Sequence, residues 1–529
     1  MRTLRTPLVV FLIFIIALFF RTYRIVEFPP GLYPDEAMNG SNALEAISTG
    51  DYRVYYPENN GREGLFMNIQ AQFLRFLLPW NNGMPEPWML RLASAFFGAC
   101  TVLGLYVLGK ELFSERVGLL ASFFLATSFW HIMFSRIGFR AIMAPFFLIW
   151  GLALLLIAIR KTKTSYFPVL SPIFAGIFYG LGFYSYIAYR VSPLILLTLV
   201  PLFYKQRGFW KVAFVFIITT FLTALPIGLY YLYSPADFLG RTSQVSIFSS
   251  ATPLQDLGMN VLKTIGMIFV IGDYNPRHNL PARPELFFPV AIFLIIGTLF
   301  GVQKILSRAA KKEAKPVTDD APAPASKINP MMMRMANRPL IDLEDNTDSF
   351  LLQKLGPIIC FAWLILTMLP VVISNEGLPH ALRSILMIPA LMLLAAYGIV
   401  LAYDKLAFRL TPMVTSVLLG LFFLLLLAEA YHTYFMTWVD RPDVKDAFAA
   451  NYVALGREIR SLPPEVPKYI IVYAQGVEVR GIPVPAQTVM YMTDSFGFEK
   501  QQAKNIHYLT PERAALNPPP PEAKVFELR

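Results

Sequence analysis

The chain has 529 residues, 55% of them hydrophobic and only 15% charged, with a net charge of +11. Soluble domains carry about 25% charged residues, and the mean hydropathy here is +0.50, so a soluble globular protein is excluded. The two cysteines, Cys100 and Cys360, each lie inside an apolar run, which excludes a disulfide framework or a cysteine metal centre.

Several charge-poor windows have the roughly 18–22 residues needed to cross about 30 Å of hydrocarbon. They predict an all-α polytopic membrane bundle rather than a β-barrel of short alternating strands. About eleven transmembrane helices are expected, near 8–25, 88–109, 115–133, 141–160, 168–187, 191–204, 210–233, 286–306, 353–374, 383–402 and 412–435. The first run follows Arg2 and Arg5 but continues as FFRTYRIVEF, without a small-residue cleavage site. It reads as an uncleaved anchor.

Thirteen lysines precede residue 440, and with the N-terminus inside, twelve of them fall on one side. Only Lys263 falls on the other. That asymmetry is the positive-inside signal and orients the bundle in a cell membrane with its N-terminus cytoplasmic. It also accounts for the net charge without a nucleic-acid partner. The outer side then holds a long first loop (26–87), short loops near 134–140 and 188–190, a loop at 234–285 and a turn at 375–382. Residues 1–436 form the membrane domain. Its inner loop 307–352, with KKEAKPVTDDAPAPAS, reads as a disordered linker.

Within the first loop, YPDEAMNG puts Asp35 and Glu36 just beyond the first span. Pro34 and two acids suit the first turn of a helix, where the dipole favours carboxylates. A carboxylate at that position is equally placed to deprotonate a hydroxyl. Further on, MNIQAQFLRFLL reads as an amphipathic helix along the interface, or as a structural cap over the bundle. Residues 437–529 change character. DVKDAFAANYVALGREIRSL has helical spacing, and KYIIVYA and VFEL read as strands. A small extracytoplasmic α/β domain is expected, with a loosely packed tail as the alternative.

Arginines behave differently from lysines. Arg136 and Arg140 lie in SRIGFR, Arg190 ends YSYIAYR, Arg277 and His278 lie in GDYNPRHN, and His380 and Arg383 lie in LPHALR. All fall on the outer side at helix ends. A guanidinium pairs bidentately with phosphate oxygens, so this set is a candidate cradle for a lipid phosphate. Each arginine alone is also compatible with snorkelling to headgroups or pairing with a carboxylate. Tyr189, Asp273 and Asn275 belong to the same stretches and complete the candidate pocket. His131, His278, His380 and His432 lie at or near outer ends but without ligand spacing. No metal ligand set or cofactor is assigned, and a divalent metal is left open. No strand-linked GxGxxG, P-loop or GxSxG is present.

With these residues in view, the chain resembles the integral-membrane C-type glycosyltransferases, the group of the protein O-mannosyltransferases (glycosyltransferase family 39) and the lipid A aminoarabinose transferases. The resemblance rests on YPDEAMNG in the first outer loop, FSRIGFR after the third span, GDYNPRHN before the eighth and LPHALRSILMIPALMLLAAYGI at the ninth-to-tenth turn. It covers roughly residues 1–440. It implies a transferase that takes a sugar from a polyprenyl-phosphate donor to a protein, lipid or glycan hydroxyl on the outer face. Asp35 would be the base, Glu36 its support, and Arg136, Arg140, Arg190, Arg277, His278, His380 and Arg383 would hold the donor phosphate.

There are departures. SRIGFRAIMAP lacks the acidic residue that many relatives carry after the SR, so a metal bridging the first two outer loops is not supported. TWVD at 437–440 does not match the WWD signature of oligosaccharyltransferases. A transporter or flippase of lipid-linked sugars and a non-catalytic assembly subunit remain as alternatives. Transporters favour internal repeats and midplane polar sites.

Overall fold

Apolar runs fold as helices here because a backbone in hydrocarbon must satisfy its own polar groups. The structure, a computed structural model, describes residues 5–162, 169–238, 247–249, 251–307, 354–374, 377–406 and 409–529. The expected linker lies outside the described residues except for Ser307, as do parts of the outer loop 234–285 and of the turn 375–382.

Among the described residues, seven helices are long and apolar enough to span a membrane: Pro87–Leu112, Arg140–Lys161, Phe209–Tyr233, Phe288–Leu306, Leu355–Val372, Ile385–Leu406 and Pro412–Trp438. An eighth is a bent pair, Glu115–Thr127 and Phe129–Ser135, with a 63° angle between its halves. The remaining expected spans correspond to shorter apolar helices, Thr6–Thr22, Leu170–Tyr184 and Ile187–Phe203. Among the described residues, seven or eight helices thus have the length to span, and three of the about eleven expected are shorter. Around 191–204 the reason is local: prolines open the segments Ser192–Leu197 and Val200–Phe203 and divide the run. The loop 234–285, expected on the outer side, also contains an unexpected helix, Pro253–Phe269. It carries Lys263, the lysine that broke the inner-side pattern.

Two breaks are repaired by side chains. At the 63° bend, Arg21 of the first helix is fully buried and donates to the Leu125 and Ala126 carbonyls, at 3.2 Å each. Its guanidinium also lies 2.7 Å from His131 Nδ1. In Phe209–Tyr233, which contains Pro226, the Tyr184 hydroxyl enters the helical ladder. It accepts from Ile227 N at 3.3 Å and donates to Thr223 O at 2.8 Å. This contact ties the start of the 184–191 loop to its neighbouring helix.

The helix Phe288–Leu306 crosses Ile388–Leu406 through facing glycines. A Cβ on Gly297 would lie 1.9 Å from Leu394 O, and one on Gly398 would lie 2.0 Å from Phe293 O. Small residues let membrane helices approach this closely.

Residues after 440 are folded onto the bundle rather than trailing from it. Helices Pro442–Ala447 and Ala450–Ser461 precede a three-stranded parallel sheet. Its central strand Lys468–Val472 pairs with Ile506–Leu509 on one side and Lys524–Leu528 on the other. The helix Gln487–Thr493 packs against Pro34–Thr49 so closely that a Cβ on Gly40 would meet the Tyr491 ring at 2.6 Å. Thr488 donates to Leu32 O at 2.9 Å, and Arg457 and Arg460 pair with Glu86 at 2.7 and 2.8 Å. The helix that carries Asp35 is therefore held from this side as well.

Gly398→Leu should lower stability by at least about 1–3 kcal/mol, the usual cost of overpacking. Thermal unfolding in detergent checks this, with Gly420→Ala, which has open space around it, as the silent control. Equal midpoints for the two variants would contradict the crossing.

Candidate active site

The site begins at the helix Pro34–Thr49. Tyr33 takes the N-cap position in extended conformation, and Pro34 fixes the first turn, which holds both Asp35 and Glu36. Successive residues on a helix project about 100° apart, so the two carboxylates meet different surroundings. Glu36 is fully buried. Its Oε1 accepts from Gly138 N at 2.6 Å, and its Oε2 lies 3.1 Å from Arg91 Nη2. Arg91 also donates to Pro29 O at 2.7 Å and Gly31 O at 2.6 Å. The pair pins the first loop, the helix Pro87–Leu112 and the SRIGFR loop together.

Asp35 keeps 27% of its side chain exposed. Its Oδ1 accepts from Asn59 Nδ2 at 2.6 Å and pairs with Arg62 Nη2 at 3.1 Å. Both partners come from a short hairpin in which Tyr55 faces Glu63 and Tyr56 faces Arg62. Its turn runs through Asn59, Asn60 and Gly61, all at positive φ, which suits asparagine and glycine. Gly61 is required there: a Cβ would collide with the Tyr55 hydroxyl at 1.9 Å. Glu63 faces the other way and pairs with Arg140 Nε at 2.7 Å and Arg190 Nη2 at 3.7 Å. Burial, with Glu63 alongside, pushes the Tyr55 hydroxyl up to about 12.

These groups line one cavity of about 380 Å³. Its wall includes Asp35, Arg62, Glu63, Arg140, Tyr186, Arg190, Asp237, His380 and Arg383. Among the described lining residues, four arginines thus face three carboxylates. Of the residues expected from the sequence, Asp35, Arg140, Arg190, His380 and Arg383 meet here. Arg383 also donates to the Ser374 hydroxyl, and Arg190 to Phe238 O at 2.9 Å.

Other expected residues do not reach the cavity wall. Glu36 is spent on Arg91. Arg136 is fully buried and donates to Phe20 O at 3.0 Å, Tyr23 O at 2.8 Å and Phe28 O at 3.1 Å. It caps backbone carbonyls where the first helix ends, so it is a structural arginine rather than part of a phosphate cradle. Tyr189 is fully buried and donates to Tyr179 O at 3.0 Å.

Arg277, His278, Asp273 and Asn275 form a cluster next to the cavity. Arg277 stacks over the Tyr33 ring at 3.9 Å, and its backbone N–H donates to Asn275 Oδ1 at 3.0 Å. His278 Nδ1 lies 3.0 Å from Asp273 Oδ2. Burial pushes this imidazole below its usual value, with Asp273 acting in the opposite sense. His278 and the cavity-lining His380 stack at 4.8 Å.

Asn59, Arg62 and Glu63 escaped the sequence reading. Their signal was the turn sequence PENNGRE inside a loop read only for its composition.

A folded bundle with this polar pocket at the ends of its helices has the fold of the C-type glycosyltransferases, and the chain is a multi-pass membrane protein of that fold. Residues 83–231 match the family model described as dolichyl-phosphate-mannose-protein mannosyltransferase. The structure is similar to the apo oligosaccharyltransferase of Archaeoglobus fulgidus, with a TM-score of 0.55 and 13% identity, covering 96% of this chain and 65% of that one. It is also similar to AglB of the same organism in complex with an inhibitory peptide and a dolichol-phosphate (TM-score 0.54, 13% identity, 93% and 64% covered). A third similar structure is ArnT of Cupriavidus metallidurans bound to undecaprenyl phosphate (TM-score 0.50, 13% identity, 96% and 89% covered). No curated protein sequence matches the chain.

Removing one partner of a buried ion pair costs about 3–5 kcal/mol. Arg91→Leu should therefore lower the unfolding midpoint far more than Asp35→Asn, measured side by side in detergent. Comparable midpoints would contradict the structural assignment of Glu36.

Proposed function

We propose that this protein is a membrane glycosyltransferase. It moves a hexosyl or pentosyl group from a polyprenyl-phosphate donor to a protein, lipid or glycan hydroxyl on the outer face of the cell membrane, with inversion. The N-terminus is cytoplasmic, and the folded segment after 436 is an extracytoplasmic α/β domain. One observation carries the reading: a carboxylate, a histidine and four arginines from five separate stretches of chain line one cavity. The similarity to structures bound to undecaprenyl phosphate and dolichol-phosphate supports it.

The chemistry follows from the residues. Asp35 accepts the proton of the acceptor hydroxyl as that oxygen bonds to the anomeric carbon. The bond from that carbon to the donor phosphate breaks, and the lipid phosphate leaves with the electron pair. A single displacement inverts the centre, as in inverting glycosidases with a hydroxyl in place of water. Arg383 and His380 stabilise the charge growing on the phosphate as fixed, preorganised donors. Arg62 and Asn59 hold Asp35 in place. Arg140 and Arg190, paired with Glu63, form part of the wall, and Arg277 stacks over Tyr33 nearby.

The direct test is incubation of purified protein with several polyprenyl-phosphate sugars, with released lipid phosphate detected by mass spectrometry. Wild-type protein should release it, and Asp35→Asn should lower turnover by at least about 10²-fold while unfolding at the wild-type temperature. Near-normal turnover of Asp35→Asn would remove the base. Arg383→Ala should chiefly raise the apparent donor KM; an unchanged donor dependence would remove it from the cradle.

A further inference from the structure

The Asp35 carboxylate has two supports from different stretches of chain. One is the helix Pro34–Thr49, whose first turn carries it. The other is the 55–63 hairpin, from which Asn59 and Arg62 hold its Oδ1 at 2.6 and 3.1 Å. That hairpin pairs through Tyr55–Glu63 and Tyr56–Arg62, and so short a ribbon is marginal by itself. Asp35 keeps its position only while the helix and the hairpin turn stay fixed relative to each other.

A second hairpin, in the folded segment after 440, joins these two supports. Its strands are Glu478–Val479 and Ile482–Pro483, and Arg480 stands at its tip. Arg480 Nη2 lies 2.9 Å from Glu45 Oε2 and 3.5 Å from Glu58 Oε1. Glu45 belongs to the Asp35 helix, about 15 Å along its axis from Asp35. Glu58 directly precedes Asn59. Arg53 also stands 3.5 Å from Glu58 Oε1, but it comes from the same loop and ties the turn only to itself. Among the described residues, Arg480 is the group that pairs with the helix and the turn together.

Arg480 is firmly mounted. Arg480 and Gly481 form a two-residue turn with φ of 54° and 77°, the positive values that favour asparagine and glycine. Val479 and Ile482 on either side are buried, and Val484 N donates to Val477 O at 2.9 Å. The guanidinium rests 4.1 Å from the centre of the Phe496 ring. The left-handed region disfavours a long side chain, so an arginine held there points to a use for its guanidinium.

We propose that Arg480 is a positioning residue for Asp35. It clamps Glu45 to Glu58, and the clamp reaches the carboxylate through Asn59 and Arg62. The inference rests on the reading of Asp35 as the base, and it gives the segment after 440 a part in the reaction. Partly exposed ion pairs add little to global stability. Geometry is where the clamp matters, because a displacement of about 1 Å can cost roughly 10²-fold in rate.

The test uses full-length protein in detergent and Arg480→Asn, which removes the guanidinium while suiting the positive φ. Three quantities are read: the unfolding midpoint, hydrogen exchange of the 55–63 peptide by mass spectrometry, and lipid-phosphate release against donor concentration. The midpoint should stay at the wild-type value. Exchange across 55–63 should quicken by roughly threefold. The kcat should fall by at least about fivefold with the donor KM unchanged, and Arg480→Lys should recover part of both losses. Glu58→Gln, on the other side of the pair, should change exchange and kcat in the same direction. Unchanged exchange or unchanged kcat in Arg480→Asn would overturn the clamp, as would a midpoint that falls along with kcat, which marks a merely structural arginine. The two readings fail separately. Quickened exchange in a protein whose wild type releases no lipid phosphate keeps the clamp and sinks the transferase, whereas full-rate release by Arg480→Asn keeps the transferase and sinks the clamp.

Discussion

The Arg91–Glu36 ion pair is the constraint on which the site depends. Both groups are buried almost completely, and such charges persist only when fully matched by hydrogen bonds. Arg91 meets that demand by gathering Glu36 and the Pro29 and Gly31 carbonyls, while Glu36 also takes the Gly138 amide. The first turn of the Asp35 helix is thereby locked in rotation. With Glu36 turned inward, Asp35 has to face the cavity. Two adjacent acids of nearly identical chemistry thus separate into one held in a buried ion pair and one that lines the cavity.

The arginines divide in the same way. Arg21 and Arg136 spend their donors on backbone carbonyls at a helix bend and a helix end. A guanidinium is well suited to this, because it offers five donors in a fixed plane and stays charged when buried. Arg62, Arg140, Arg190 and Arg383 instead reach the cavity. Among the described residues, Arg62 pairs with Asp35, and Arg140 and Arg190 pair with Glu63. The pocket is therefore a preorganised polar lattice rich in guanidinium donors, suited to an anionic ligand. The segment after 440 contributes from behind, through Thr488, Tyr491 and the Glu86 pairs, so the Asp35 helix is packed on both sides.

Much of this was legible in the sequence, for physical reasons. Long apolar runs leave the backbone little choice but helix, and arginine beside such runs is costly enough to need a purpose. That logic found Asp35, Arg140, Arg190, His380 and Arg383. It failed where the answer lies in rotation rather than position: nothing in the order of residues separates Glu36 from Asp35, or Arg136 from Arg140. It did not see the proline division of the 187–203 run, which is a matter of local geometry. The helix Pro253–Phe269 was hidden by its one-sided apolar face, and the hairpin bearing Arg62 by reading its loop for composition instead of turn chemistry.

The central claim is that the cavity joining Asp35 to the 380–383 turn receives a lipid phosphate. The most direct measurement is an experimental structure in lipid nanodiscs supplied with undecaprenyl phosphate. The account predicts phosphate density inside this cavity, in contact with Arg383 or His380, with the prenyl chain leaving between apolar helices. Phosphate density bound elsewhere on the bundle, with this cavity empty, would contradict it.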